Sequence, residues 1–209
     1  MRFWRTKPVP KGESVGIGVA CYFNNDLRRV HALFCLIESF RAQTWTNWKL
    51  LLVHDGPILV DKSLLLSRIQ GDPKIELIET KERKNDHGHS HRPMAIEKLS
   101  SHPWLMLTND DNYYMPVFLE WLLATGNSAK VSVVYCDMIH SHKQWKAMPT
   151  NFRYRHLDLG GFIVRSSLAK QVPFTSVNFN ADGDWIDRLA AKATKRSIRK
   201  VNATLFCHN

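Results

Sequence analysis

The sequence predicts an α/β domain built on a mixed, mostly parallel sheet flanked by helices. Three observations carry that expectation. First, Ser14 to Phe23, SVGIGVACYF, and Lys49 to Val53, KLLLV, are short runs apolar on both faces, as in strands covered on either side. Second, the apolar residues between them fall at 27, 30, 34 and 37, with Leu33 and Phe40 flanking, which is helical spacing continuing to Gln43. Strand, helix and strand within about 40 residues form a unit whose right-handed connection makes the two strands parallel. Third, WLMLTNDDNYYMP, Trp104 to Pro116, is an apolar run that stops at Asn109, Asp110, Asp111 and Asn112. Such side chains cannot be buried unpaired. They suit the C-terminal mouth of a buried strand, where open α/β sheets bind ligands. Two adjacent acids among oxygen-rich neighbours fit a hard divalent cation such as Mg or Mn. Taken alone, the stretch reads equally as a polar turn before a helix that starts at Pro116.

The remaining elements follow in order. Residues 1 to 13 read as a leader without a core, and 14 to 209 as one domain. Asn24, Asn25 and Asp26 form a turn and helix cap. His54-Asp55-Gly56-Pro57 ends the second strand. Asp61 to Gln70 is a helix broken by Gly71-Asp72-Pro73, and Lys74 to Glu79 a short strand. Lys81 to Arg92 contains His87, His89 and His91, but no Cys or fourth ligand completes a zinc site, so it reads as a mobile loop over the active site. Pro93 to Ser101 is a helix. Pro116 to Thr125 is another, closed by Gly126. Val131 to Cys136 is a strand, and His140 to Tyr154 has no period. Leu157 to Arg165 holds Gly160-Gly161, where backbone can approach a ligand closely. Asp184 to Lys195 is an amphipathic helix with Trp185, Leu189 and Ala193 on one face, and Val201 to Cys207 is the last strand.

Composition narrows the class. The chain has 209 residues, 44% hydrophobic, enough for one sizeable core. No run reaches the ~18 apolar residues of a membrane span. The start, MRFWRTKPVPKGES, lacks the apolar stretch of a secretory signal. Cys21, Cys35, Cys136 and Cys207 show no CxxC spacing, so reduced thiols in a cytoplasm are expected. The Asn202-Ala203-Thr204 glycan site then reads as chance. A formal charge of +10 attracts phosphates of nucleotides, nucleic acid, glycans or lipids. The densest basic run, Lys192 to Lys200, reads as a solvated helix face.

Five pieces stand in one order: VGIGVACYFN, LLLVHDGP, LTNDDNYY, DLGGFIVR with GDWIDRL, and LFCHN. The series resembles the family 2 glycosyltransferases of the GT-A fold, over about Ser14 to His208. The resemblance implies a single-domain, Rossmann-like nucleotide-diphospho-sugar transferase that moves a sugar to a glycan or other hydroxyl acceptor with inversion. It implies a metal, Mn2+ favoured over Mg2+, and a nucleotide-sugar donor, with a UDP-sugar favoured. By the same resemblance, Ala20 to Tyr22 flank the nucleobase, Asp55 bonds it, Arg92 faces the donor, Asn109 and Asp110 lie at the donor, and Asp110 reaches its ribose or sugar. Asp111 and His208 hold the metal, and Gly160, Gly161 and Trp185 border the acceptor. Asp184 is the general base; Asp182 is its nearest competitor, and Asp187 lies one turn on. Acceptor-binding loops fall at Lys143 to His156 and Ser176 to Ala181.

Departures from the family pattern are Asn109 for the first metal-motif Asp, Gly183 for the Glu before the base, His54 for the first Asp of Asp-Asp-Gly, and Pro93 for an Asn. The Gln-x-x-Arg-Trp motif of processive members is absent, which points to adding one or a few sugars. Three alternatives carry less support. A nucleotidyltransferase usually has a Gly-rich basic signature after the first strand, where this chain has Tyr22-Phe23-Asn24-Asn25-Asp26. A nucleic-acid module is disfavoured because acids cluster where a basic groove belongs. A donor-binding protein without catalysis would fit Asn109 and Gly183.

Overall fold

The computed structural model describes residues 8–9, 11–23, 26–59 and 62–209. The expected turn residues Asn24 and Asn25, the helix start Asp61, and residues 1–7 and 10 of the leader lie outside the described residues. In chain order the elements are β1 (Val15–Cys21), α1 (Leu27–Arg41), β2 (Trp48–His54), α2 (Lys62–Ile69), β3 (Ile75–Glu79), α3 (Arg92–Lys98), β4 (Trp104–Asn109), β5 (Tyr113–Tyr114), α4 (Phe118–Thr125), β6 (Val133–His140), β7 (Lys146–Met148), β8 (Phe162–Arg165), α5 (Ser166–Gln171), α6 (Ala181–Lys192) and β9 (Ile198–His208). The strands form one sheet in the order β3-β2-β1-β4-β8-β6-β9-β5, with β7 paired to β6. β1, β2, β3, β4, β6 and β9 run one way, and β5, β7 and β8 oppose them.

Alternation along the strands divides the core into two layers. Val15, Ile17, Val19 and Cys21 of β1 and Trp104 and Met106 of β4 face α1, α2 and α4. Leu51 and Val53 of β2 and Leu105 and Leu107 of β4 face α3, α5 and α6. On that second face β1 offers Gly16, Gly18 and, at its end, Ala20. A Cβ on Gly16 or Gly18 would stand 2.7 Å from the Cβ atom of Leu99 or Ala95, respectively, so the glycines let the α3 segment lie close on the strand. Asp26 caps α1, accepting from Arg28 N–H at 2.9 Å.

Several expectations need correction. β5, β7 and α5 were not expected; each is too short for a readable period. The final helix opens at Ala181, three residues before Asp184, and ends at Lys192. The basic run is therefore no helix face; it turns through a 3-10 segment, Lys195–Ser197, into β9. The described part of the leader lies against the domain: Val9 packs on the core, Asn127 Nδ2 donates to Pro8 O at 2.9 Å, and Glu13 pairs with Arg165 at 3.1 Å. Among the described residues no helix is long and apolar enough to cross a membrane, and all four cysteines are free.

Candidate active site

β1 leads outward to β2 and β3, and the chain then returns to place β4 on the other side of β1. The C-terminal ends of β1 and β4 thus flank a switch point, the place where open α/β sheets leave a crevice. A cavity of about 360 Å3 lies there. Its floor is Ala20, Cys21 and Tyr22 from β1 and Asn109, Asp110 and Asp111 from β4; its walls include Asp55, Arg29, Arg83, Asn85, His87 and Gly88. Ala20 and Asn109 are direct register partners, so the two strand ends meet side by side.

Asp110 is 6% exposed and accepts Tyr22 N–H at 3.1 Å, tying the β4 end to the β1 end. Burial, reinforced by the Asp111 charge, pushes its carboxyl up to about 7. Burial also raises Asp111, opposed mainly by His208. Asp111 and His208 are therefore close enough to feel one another. His208 Nδ1 lies 3.1 Å from Asn112 Oδ1, and Asn112 Nδ2 donates to Thr108 Oγ1 at 2.9 Å. With the amide so oriented, Nδ1 is the donor, and His208 Nε2 keeps the lone pair a metal needs. This donor set fits a divalent cation that takes its other ligands from diphosphate and water. Among the described residues no group of three or more His, Cys, Asp or Glu could hold a metal unaided.

Asp55 lines the cavity, yet much of its capacity is committed. Its oxygens accept from Lys84 N–H at 2.7 Å, Asn85 N–H at 2.9 Å and His91 Nε2 at 2.8 Å. Burial alone would raise this carboxyl, but the two amides and His91 outweigh it and hold it below its usual value. Asp55 thereby fastens the segment expected to be a mobile loop, and one lone pair on Oδ2 stays open to a ligand. His54 is buried as a neutral ring: Phe23 N–H donates to Nε2 at 3.3 Å, and Nδ1 donates to Gly56 O at 2.8 Å. Arg83, outside the expected set, places its guanidinium 3.8 Å over the Tyr22 ring.

Arg92 does not line the cavity. It is 1% exposed, donating to Thr108 O at 2.6 Å and to the Asn109 side chain, so it buttresses the end of β4 from beneath. Burial lowers its pKa, opposed first by Asp182 and then by Asp158 and Asp110. Asp182 is one-quarter exposed in its side chain and faces this guanidinium. Burial raises its carboxyl to about 6, with Arg92 pulling down and Asp158 pushing up. Asp184 is exposed. Positions two apart on a helix point to nearly opposite sides, so Asp184 turns away from the group Asp182 faces. Asp187 accepts Tyr154 N–H at 2.8 Å.

The expected acceptor residues sit in the core. Trp185 is 1% exposed and donates its indole N–H to Val172 O at 2.7 Å, leaving nothing to present to a ligand. Gly160 and Gly161 are buried; a Cβ on Gly160 would strike Tyr114 and Phe206, and one on Gly161 would strike Leu157. These glycines serve close packing. A Cβ on Gly183 would overlap the Tyr154 ring, which explains Gly where a Glu was expected. Cys21 falls within the expected Ala20 to Tyr22 stretch and His87 within the loop expected over the site, whereas Arg29, Arg83, Asn85 and Gly88 were not singled out. One signal was readable: Asn85, His87 and Gly88 all have positive φ, and an Asn-Asp-His-Gly string favours such turns.

No protein-family model and no curated protein sequence matches the chain. Its structure is similar to S. aureus TarS, with a TM-score of 0.73 at 13% identity over 94% of this chain. The fold is GT-A-like. TarS 1-349 in complex with UDP-GlcNAc superposes with a TM-score of 0.72 at 12% identity over 93% of this chain. The mannosyltransferase PcManGT from Pyrobaculum calidifontis, in complex with GDP-Man and Mn2+, gives 0.63 at 13% identity over 97%. The chain spans 36% of TarS, 58% of the TarS fragment and 58% of PcManGT.

Proposed function

We propose that the chain is a nucleotide-sugar-dependent glycosyltransferase acting by inversion. The observation that carries the reading is the cavity at the β1–β4 switch point, floored by adjacent acids, in a fold shared with structures that hold UDP-GlcNAc or GDP-Man. The nucleoside enters between Tyr22 and the Arg83–Gly88 segment, beside the open lone pair of Asp55. The diphosphate runs along the β4 end toward Asp111 and His208. A divalent cation held there by Asp111 and His208 would offset the charge of the departing diphosphate. Asp110 orients the donor from the mouth of the cavity, where Tyr22 N–H holds its carboxyl in place. Arg92 holds the β4 end rigid from below, which keeps Asp110 and Asp111 in place.

Asp182 takes the acceptor's proton as its hydroxyl oxygen bonds to the anomeric carbon; the bonding pair leaves with the diphosphate. It replaces Asp184 in this role because it is the α6 acid that turns inward, within reach of the charges of Arg92, Asp158 and His208, and a carboxyl near 6 is mostly ionised at neutral pH while still a competent base. A UDP-sugar with Mn2+ remains the favoured donor and metal.

The test is a pair of variants. Asp182→Asn lowers transfer or donor hydrolysis by about 100-fold or more, with donor affinity kept within about twofold. Asp184→Asn changes turnover by less than about threefold. Full activity in Asp182→Asn would overturn the assignment, and loss confined to Asp184→Asn would restore the other acid.

A further inference from the structure

His89 is a buried imidazole that the reading above leaves unused. It is 3% exposed, in the 3-10 turn His89–His91. That turn is held firmly: His89 N–H donates to Asp86 O at 3.1 Å, Ser90 N–H to Asp86 Oδ2 at 3.0 Å, and His91 is bonded to Asp55. The ring stacks on Phe174 with centroids 5.8 Å apart and planes 28° from parallel. Neither ring nitrogen has a hydrogen-bond partner among the described residues, and the same holds for Asp182 Oδ1. These unpartnered atoms face each other: His89 Nδ1 lies 3.4 Å from Asp182 Oδ1.

A buried polar group left unbonded costs about 1–3 kcal/mol. Two such groups placed within a few tenths of an ångström of a hydrogen bond are better explained as a pair that closes than as two separate defects. Catalytic hydrogen bonds are often long without substrate and tighten with it. We propose that His89 is a positioning residue: its Nδ1–H fixes Asp182 Oδ1, so that Oδ2 is aimed at the acceptor hydroxyl. The proposal rests on Asp182 as the base. Burial and the Arg92 charge lower His89 to about 4, so at neutral pH it carries one proton, and the facing carboxylate selects the Nδ1–H tautomer. His89 is not among the residues that line the cavity.

Three substitutions separate this role from simple packing. His89→Phe keeps the stack on Phe174 and removes both nitrogens. His89→Asn places an amide N–H where Nδ1 was, and His89→Gln places one nearer Nε2. Hydrolysis of UDP-GlcNAc or GDP-mannose with Mn2+ is the assay. His89→Phe should lower kcat by about 100-fold, with KM for the donor within about twofold. His89→Asn should recover to within about fivefold of the native rate, and His89→Gln should stay low. Asn and Phe variants equally impaired at equal Tm would overturn the proposal, as would native kcat in His89→Phe. Imidazole 15N spectra of the native protein supply a readout that needs no turnover. His89 should show the Nδ1–H tautomer, shifted by Asp182→Asn and unmoved by Asp184→Asn; the Nε2–H tautomer, or no shift, overturns the pairing. Failure of the broader reading looks different: the spectral coupling is present, but the native protein hydrolyses no nucleotide-sugar, or Asp182→Asn is fully active.

Discussion

Asp182 and Asp184 are two positions apart on one helix, and that spacing gives them different chemistry. The first lies on the same side as Trp185, Ile186 and Leu189, which are buried, and shares its surroundings with Arg92, Asp158 and His208. The second stands in solvent. A base works only when ionised, and burial holds the Asp182 carboxyl at about 6. The rate at saturating donor should therefore rise with pH through about 6 and level off above it. A profile flat between pH 5 and 8 would contradict Asp182 as the base. The acids at the end of β4 were legible in the sequence because polar residues abruptly ended an apolar run. The choice among the acids of α6 was not, because Asp184 looks like a cap. The helix instead opens at Ala181, with Asn180 at the cap position making no side-chain cap, and only tertiary packing decides which Asp turns inward. Trp185 could have been read better: its place in the apolar stripe with Leu189 already assigned it to the core.

Among the elements, the segment from Arg83 to Arg92 does most to shape the site. Asp55 holds its backbone, His91 ties back to Asp55, and Gly88 at φ +76° presses against the end of β1. A Cβ on Gly88 would strike the Cβ of Ala20. Gly88→Ala adds both that clash and left-handed strain, together about 2–4 kcal/mol. Its Tm should fall by several degrees and nucleotide binding should weaken by about tenfold or more. Native binding at a native Tm would show that the segment does not form the wall described. From sequence this stretch read as a mobile loop because it is charged and without period. Its order comes from Asp55, about 30 residues earlier, and such long-range bonds leave no local pattern. The two-residue β5 and three-residue β7 were invisible for a related reason: they exist only as partners of β9 and β6.

At the scale of the whole molecule, the covered, mostly parallel sheet was readable because its long strands are apolar on both faces, whereas the order of the strands comes from the structure. Return of the chain from β3 to β4 beside β1 then fixes where a ligand can enter. The +10 charge does not contradict acids at the mouth. On the proposed reading, basic residues spread over the surface would raise the local concentration of an anionic donor, and the acids would act at the point of contact through a cation. The central claim is that a nucleoside diphosphate binds at the tips of β1 and β4 through a divalent ion on Asp111. Calorimetric titration of UDP and GDP, each with Mn2+ and with EDTA, tests it most directly. At least one should bind with Mn2+, lose about tenfold or more in affinity in EDTA or in Asp111→Ala, and keep its affinity in Asp182→Asn. Failure of both nucleotides to bind with Mn2+, or binding indifferent to Asp111→Ala, would contradict the account.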